Sequence, residues 1–253
     1  MFKINDYLDK IFSKRFKIYK MIYVHIGAGA GDLDAGALFR DGFSEFVKQI
    51  DDNDKRIYVV EANPSNISKL QETWKNYKNV EIFNFAISSS VNYEKKIKFY
   101  YSLDDAPHYQ QFSNNINHVK KIYKDLDRIK FKYIDSVKIN EFLDKNFNDK
   151  KINYFSIDIE GMDYEVIQDI DFKKFEITHF SFEHLQLKLN QKINIFKKFL
   201  KFNYSYNGPG IDHNNFDWTF KKKINIWNNL IFFFIIFISK KHYKYLDKLL
   251  MKI

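Results

Sequence analysis

The chain has 253 residues, 45% of them hydrophobic and 19% aromatic, with a formal net charge of +9, a length that suits one α/β domain with extensions rather than two domains. It contains no cysteine, which excludes disulfides, thiolate nucleophiles and thiolate metal sites and suits a reducing compartment. The positive excess is nearly all lysine, with Arg15, Arg40, Arg56 and Arg128 as the arginines; readers of phosphates and base edges lean on the guanidinium fork, so the charge is read as solvated surface and no nucleic-acid partner is expected.

Residues 1–20 show apolar positions at helical spacing (Ile4, Tyr7, Leu8, Ile11, Phe12) interrupted by charges, which predicts an amphipathic N-terminal helix rather than a signal peptide. From Met21 to about residue 223 strands and helices alternate. "MIYVHIG", "RIYVVEANP", "NVEIFNFAIS", "INYFSIDIEG" and "ITHFSFEH" are near-continuous apolar runs, expected of strands covered on both faces in a mostly parallel, doubly wound sheet. Between them, Asn63 and Pro64 start a helix with a stripe at Ile67, Leu70 and Trp74. Val166, Ile167 and Ile170 form the stripe of another. Asn190 is expected to cap a third, with Ile193, Phe196, Phe199 and Leu200 facing inward.

Residues 92–150 are less regular: "KKIKFYYS" predicts an additional strand, "DDAPHYQQFSNNINH" a polar loop, and "YIDSVKINEFLDK" a strand leading into a short helix. A polar segment of that length between strands reads as a substrate loop or as plain surface. Residues 224–253 form a hydrophobic and basic extension in which Leu230 to Ile238 are apolar throughout. Nine residues fall well short of the roughly twenty needed to span a bilayer. Two readings stay open: a helix packed on the domain or on a second subunit, giving a homodimer, or an interfacial anchor whose lysines meet anionic lipid. The protein is accordingly expected in the cytoplasm, free or membrane-associated through this extension.

The polar punctuation falls at the carboxyl ends of the strands: Gly27 and Gly29, then Glu61, then Asp158 with Glu160, then Glu183 with His184. In an open α/β sheet those ends border the ligand crevice. "HIGAGAGD", His25 to Asp32, is a glycine turn that lets backbone approach a ligand closely. Glu61, ending the next strand, can accept both ribose hydroxyls of an adenosine ligand. A nicotinamide cofactor would use the same pair, which keeps a nucleotide-binding oxidoreductase open, but Gly-x-Gly-x-Gly is not the Gly-x-Gly-x-x-Gly spacing that seats a pyrophosphate.

The ordered set "YVHIGAGAGD", "VVEANPSNISKL", "NVEIFNFAIS", "INYFSIDIEGMDYEVIQDID" and "FSFEH" resembles the FkbM family of S-adenosylmethionine-dependent methyltransferases over about residues 23–220. The resemblance implies a Rossmann-like class I methyltransferase fold: a mostly parallel seven-stranded sheet, helices on both faces and an antiparallel strand near the C-terminus, here matched by "FDWTFKK". It also implies S-adenosylmethionine as cofactor and O-methylation of a sugar, glycan or other small hydroxylated molecule. Carried over by motif, Gly27, Ala28 and Gly29 pass beneath the methionine part, with His25 at the position that is often Asp in the family. Glu61 binds the ribose, Ala86 edges the adenine, and Asp158 faces the methionine or the reacting centre.

Methyl transfer to a hydroxyl needs alignment, worth roughly 7 to 11 kcal/mol of barrier, and a base, worth about 10²- to 10⁴-fold. His184 and Asp158 are the candidate bases, with Glu183 and Glu160 behind them; Glu160 is equally suited to serve the following helix N-terminus. His108, His118 and His213 lie in polar segments expected to border the acceptor. No ligand spacing is diagnostic of a metal, and none is assigned. A non-catalytic methyltransferase-like module tethered by its tail is the remaining alternative.

Overall fold

The computed structural model describes residues 21–33, 41–51, 54–91, 93–107, 111–159, 161–211 and 217–236. The helix expected over residues 1–20 lies outside them, as do Glu160, His108 and His213. The first apolar run forms β1 (Ile22–Ile26), followed by α1 (Gly42–Gln49), whose start is fixed by Asp41 accepting from the backbone N–H groups of Phe43 at 3.1 Å and Ser44 at 3.0 Å. Next come β2 (Arg56–Val60) and α2 (Ile67–Trp74), entered through a 3₁₀ turn that Asn63 caps by accepting from Ser65 N–H at 3.0 Å.

The run "NVEIFNFAIS" is not a single strand. It splits into β3 (Val80–Phe83) and β4 (Ala86–Ser88), which lie in different sheets. The break is held by the Asn84 amide, which donates to the carbonyls of Glu61 at 2.8 Å and Ala62 at 3.3 Å. After it follow β5 (Lys96–Ser102), α3 (Ile116–Ile122), β6 (Ile129–Lys138), α4 (Ile139–Phe147), β7 (Lys151–Ile157), α5 (Asp163–Asp169), β8 (Glu176–Glu183) and α6 (Leu189–Lys201). Asn190 sits inside the first turn of α6 rather than capping it; there the Gln191 side chain accepts from the Lys188 N–H at 2.9 Å. Along that helix Ile195, Phe196 and Phe199 are buried, whereas Leu200 is exposed. The chain closes with β9 (Tyr204–Pro209), β10 (Asp217–Lys222) and α7 (Ile226–Ile236).

The main sheet has the order β3-β2-β1-β7-β8-β10-β9, parallel except that β10 runs against both neighbours. "FDWTFKK" is therefore the antiparallel strand. A smaller sheet, β4-β6-β5, stands beside it. β1 and all but one end residue of β2 and β7 are buried, as continuous apolar runs in a sheet covered on both faces require.

Register makes the two faces of the main sheet chemically different. Val24, Phe155, Phe180 and Phe220 lie abreast across β1, β7, β8 and β10 and join one large core with α4, α5 and α6. One position along, His25, Ser156, Ser181 and Thr219 lie abreast and face the other way. All four are buried.

Candidate functional site

The glycine turn leaves β1 and folds over the end of β2. The backbone N–H groups of Gly27 and Ala28 both donate to the Val60 carbonyl, at 2.9 and 3.1 Å. Gly27 has φ +86°, and a Cβ there would lie 1.6 Å from the Asp158 carbonyl oxygen. Only glycine lets the turn pass the end of β7 this closely. The turn is pinned on its far side too: Thr73 Oγ1 donates to the Ala30 carbonyl at 3.0 Å, and the Asp32 carboxylate accepts from Ser44 and Lys48.

Glu61 is buried, and its carboxylate organises the turn. One oxygen accepts from Gly29 N–H at 2.7 Å and the other from Asn63 N–H at 2.6 Å. A carboxylate is an acceptor with about four lone-pair sites, a chemistry that suits hydroxyl donors as well as backbone N–H groups. Ala86 is buried at the start of β4 and shares an apolar cluster with Phe99 and Ile134, against which Ala62, Phe112 and Met162 pack. Through Ala62 that apolar cluster adjoins the Glu61 strand end.

Asp158 follows directly on β7, its N–H donating to the Ile26 carbonyl at 2.9 Å. The structure therefore brings Gly27, Gly29, Glu61 and Asp158 to one rim. His25, just below, has its ring 4.6 Å from that of Phe43 and its Nδ1 3.8 Å from Asp41 Oδ2. Glu183 is half-buried and lies opposite Asp217 of β10. His184 is buried at 2% exposure, its ring centroid 4.1 Å from that of Trp218 with the two planes tilted by 32°.

Several residues complete this rim without having been singled out by motif. Asp163, at the start of α5, is buried and accepts from the N–H groups of Ile159 at 3.1 Å and Gly161 at 3.2 Å, tying down the turn that carries Asp158. Burial raises its carboxyl above the usual range, against the lowering effect of these backbone donors. An acid two residues after a glycine at a helix start is the sequence signal that could have found it. Asp217 and Ser181 form a second buried polar pair, the Ser181 hydroxyl donating to Asp217 Oδ2 at 3.3 Å. Of the three loop histidines, His118 is described: its Cε1 lies 2.8 Å from where a Gly161 Cβ would be, so α3 rests on the Asp158 turn. Ser113 Oγ is 3.4 Å from His118 Nδ1.

The sequence model of the Methyltransferase FkbM domain family matches residues 25–206. Among solved structures the chain is similar to the precorrin-6y C5,15-methyltransferase of Geobacter metallireducens, with 12% identity, 86% of this chain and 88% of that chain covered, and a TM-score of 0.41. It is also similar to an rRNA methylase of Streptococcus thermophilus, with 11% identity, 88% and 99% covered, and a TM-score of 0.42. TrmK of M. capricolum, solved with S-adenosyl-homocysteine, shows 11% identity, 94% and 73% covered, and a TM-score of 0.37. No curated protein matches this chain.

Proposed function

The chain belongs to the FkbM methyltransferase family, and from that premise we propose that it moves the methyl group of S-adenosylmethionine to a hydroxyl oxygen of a sugar, glycan or other small hydroxylated molecule. The observation that carries the reading is the convergence of Gly27, the Glu61 carboxylate and Asp158 on one strand-end rim. The glycine turn, folded over the ends of β2 and β7, lies on the rim where the methionine part would pass, the Glu61 carboxylate suits ribose hydroxyls, and the apolar cluster around Ala86 suits an adenine face.

When bound, the cofactor supplies a sulfonium methyl group, an electrophile that needs no activation by the protein. What the protein must supply is alignment and removal of the acceptor proton. In this reading Asp158 is the base. It sits next to Gly27, where the methionine part would pass, and the Asp163 bonds to Ile159 and Gly161 fix its turn. Glu183, in the following register position on β8, and Asp217 opposite it provide acceptors for further hydroxyls of the substrate. His184, closed in against Trp218, acts through that ring as a positioning residue for the ends of β8 and β10. His25 holds the turn beside Phe43 and Asp41.

Titrating the purified chain with S-adenosylmethionine and with its demethylated product by calorimetry tests the cofactor half of the reading. Saturable binding that Glu61→Gln weakens supports it; absence of binding to either compound overturns it and favours a non-catalytic module. Transfer of labelled methyl to a panel of sugars, glycans, amines and RNA tests the acceptor half, and label found on nitrogen or RNA overturns it.

A further inference from the structure

Helix α7 lacks the polar outer face of an ordinary surface helix: it is apolar outside as well as in. Its asparagines turn inward onto β9, the edge strand of the main sheet. Asn228 Nδ2 donates to the Tyr206 carbonyl at 2.8 Å, Asn229 Oδ1 accepts from Tyr206 N–H at 3.2 Å, and Asn229 Nδ2 donates to Ser205 Oγ at 3.1 Å. Those bonds close part of an edge that would otherwise present unpaired backbone groups. Phe232, Ile235 and Ile236 enter the core against α6 and β10. What remains outside is apolar: Ile224, Ile226, Trp227, Leu230 and Phe234 are exposed, Trp227 by 76% and Phe234 by 67%.

The charge of the C-terminal part of the sequence is as uneven. Residues 218–253 contain eight lysines and one acid, Asp247, a net +7 within a chain of +9. Lys222 and Lys223 are exposed immediately before the helix, and Lys240, Lys241 and Lys244 follow it in sequence without an intervening acid. The positive balance of the whole protein is thus concentrated on the segment that also shows its largest exposed aromatic side chain. The described residues 218–236 carry Lys221, Lys222 and Lys223 and no acid, so a second copy docked here would bring like charges together, whereas an anionic surface neutralises them.

We propose that the outward face of α7 docks on an anionic lipid surface, with Trp227 and Phe234 entering the headgroup boundary and Lys222 and Lys223 meeting lipid phosphates and carboxylates. Exposed aromatic side chains on a helix flanked by lysine are the two signals that peripheral binding needs together. Among the described residues no helix is long and apolar enough to cross a membrane; the proposed contact is one in the interface plane. The proposal concerns where the protein works and is independent of its acceptor.

The test floats the full chain with vesicles of phosphatidylcholine alone and of phosphatidylcholine with phosphatidylserine, following tryptophan emission. Trp74 and Trp218 are buried, so a blue shift on vesicle binding reports Trp227. Binding to the anionic vesicles should exceed that to neutral ones by about tenfold or more and should weaken as salt is raised. A variant carrying Trp227→Ser, Leu230→Ser and Phe234→Ser alters only outward side chains; it should keep the wild-type melting curve and lose about tenfold or more of the binding. Wild-type chain left behind by anionic vesicles overturns the proposal. So does a well-folded variant that floats like wild type, or a lipid-indifferent dimer that the variant converts to monomer.

Discussion

Replacing Gly27 by alanine tests the central spatial claim, that the first turn and the end of β7 touch. The added Cβ lies 1.6 Å from the Asp158 carbonyl oxygen and 2.6 Å from its carbon, where ordinary contact begins at 3.4 Å. Backbone rather than a flexible side chain must yield, and the strand ends are held by Asp158 N–H to Ile26 O and Gly27 N–H to Val60 O, each at 2.9 Å. Losing one such bond costs about 1 to 3 kcal/mol, and a non-glycine residue at φ +86° adds about 1 to 2 kcal/mol. The sum, about 2 to 5 kcal/mol, lowers the melting temperature by about 4 to 20 °C in a chain of this size. Gly208 provides the control: φ is +107° but nothing lies within 4 Å of its added Cβ, so Gly208→Ala carries backbone strain alone, about 1 to 3 kcal/mol. Calorimetric melting and cofactor titration of both variants are compared. Gly27→Ala should melt below Gly208→Ala and bind S-adenosylmethionine at least about tenfold more weakly, a loss of 1.4 kcal/mol. Equal melting of the two variants, with wild-type affinity in Gly27→Ala, would show that the turn does not meet β7 as described.

Glu61→Gln keeps the shape of the side chain but replaces the charged acceptor of Gly29 and Asn63; it should cost about 1 to 3 kcal/mol of stability and weaken cofactor binding, and calorimetry showing wild-type affinity would remove Glu61 from the site. Asp158→Asn should lower single-turnover methyl transfer by about 10²- to 10⁴-fold with cofactor affinity retained; a wild-type rate would dismiss Asp158 as the base. Burial, assisted by Lys221, pushes the His179 imidazole down from 6.5 to about 4. Above pH 6.5 neither folded nor unfolded chain protonates it, whereas below that the unfolded chain gains a proton the folded one refuses, so stability falls as pH drops from 6.5 towards 4, by about 3 kcal/mol in all. His179→Gln should flatten the fall in melting temperature across that window, and a parallel pH profile in the variant would refute the shift.

Where a local pattern decides structure, the sequence could be read directly. β1, β2, β7 and β8 are apolar runs closed by glycine or acid, and Glu61 falls at its strand end because the apolar run Ile57–Val60 stops there. The break between β3 and β4 could not be read, because it depends on the Asn84 side chain reaching the carbonyls of Glu61 and Ala62, more than twenty residues earlier in the chain. β9 hides for a different reason: "YSYNGP" ends in glycine and proline, which locally signal a turn, and its place at the edge is fixed by β10 and by the α7 asparagines. The approach of His118 to Gly161 and the pairing of Ser181 with Asp217 are likewise long-range contacts. The site was legible as strand ends, but its supporting residues were not, since each acts through a partner that chain order does not place beside it.

Register is what joins these levels. A one-residue slip of β7 or β8 would turn Phe155 or Phe180 towards Tyr154's side of the sheet and bring small polar residues into the aromatic core. The core forbids this: Phe180 packs 5.3 Å from Phe199 and 5.2 Å from Phe155 between ring centroids, and Phe199 stacks 4.5 Å from Phe220. Those contacts lie away from the rim, yet they fix which residue ends each strand, and so place Asp158 beside Gly27 and Glu183 beside Asp217. The abundance of phenylalanine in this chain, 27 residues, is therefore part of how the rim is positioned: large rigid rings interlock in few ways, and the polar side chains on the opposite face inherit that precision.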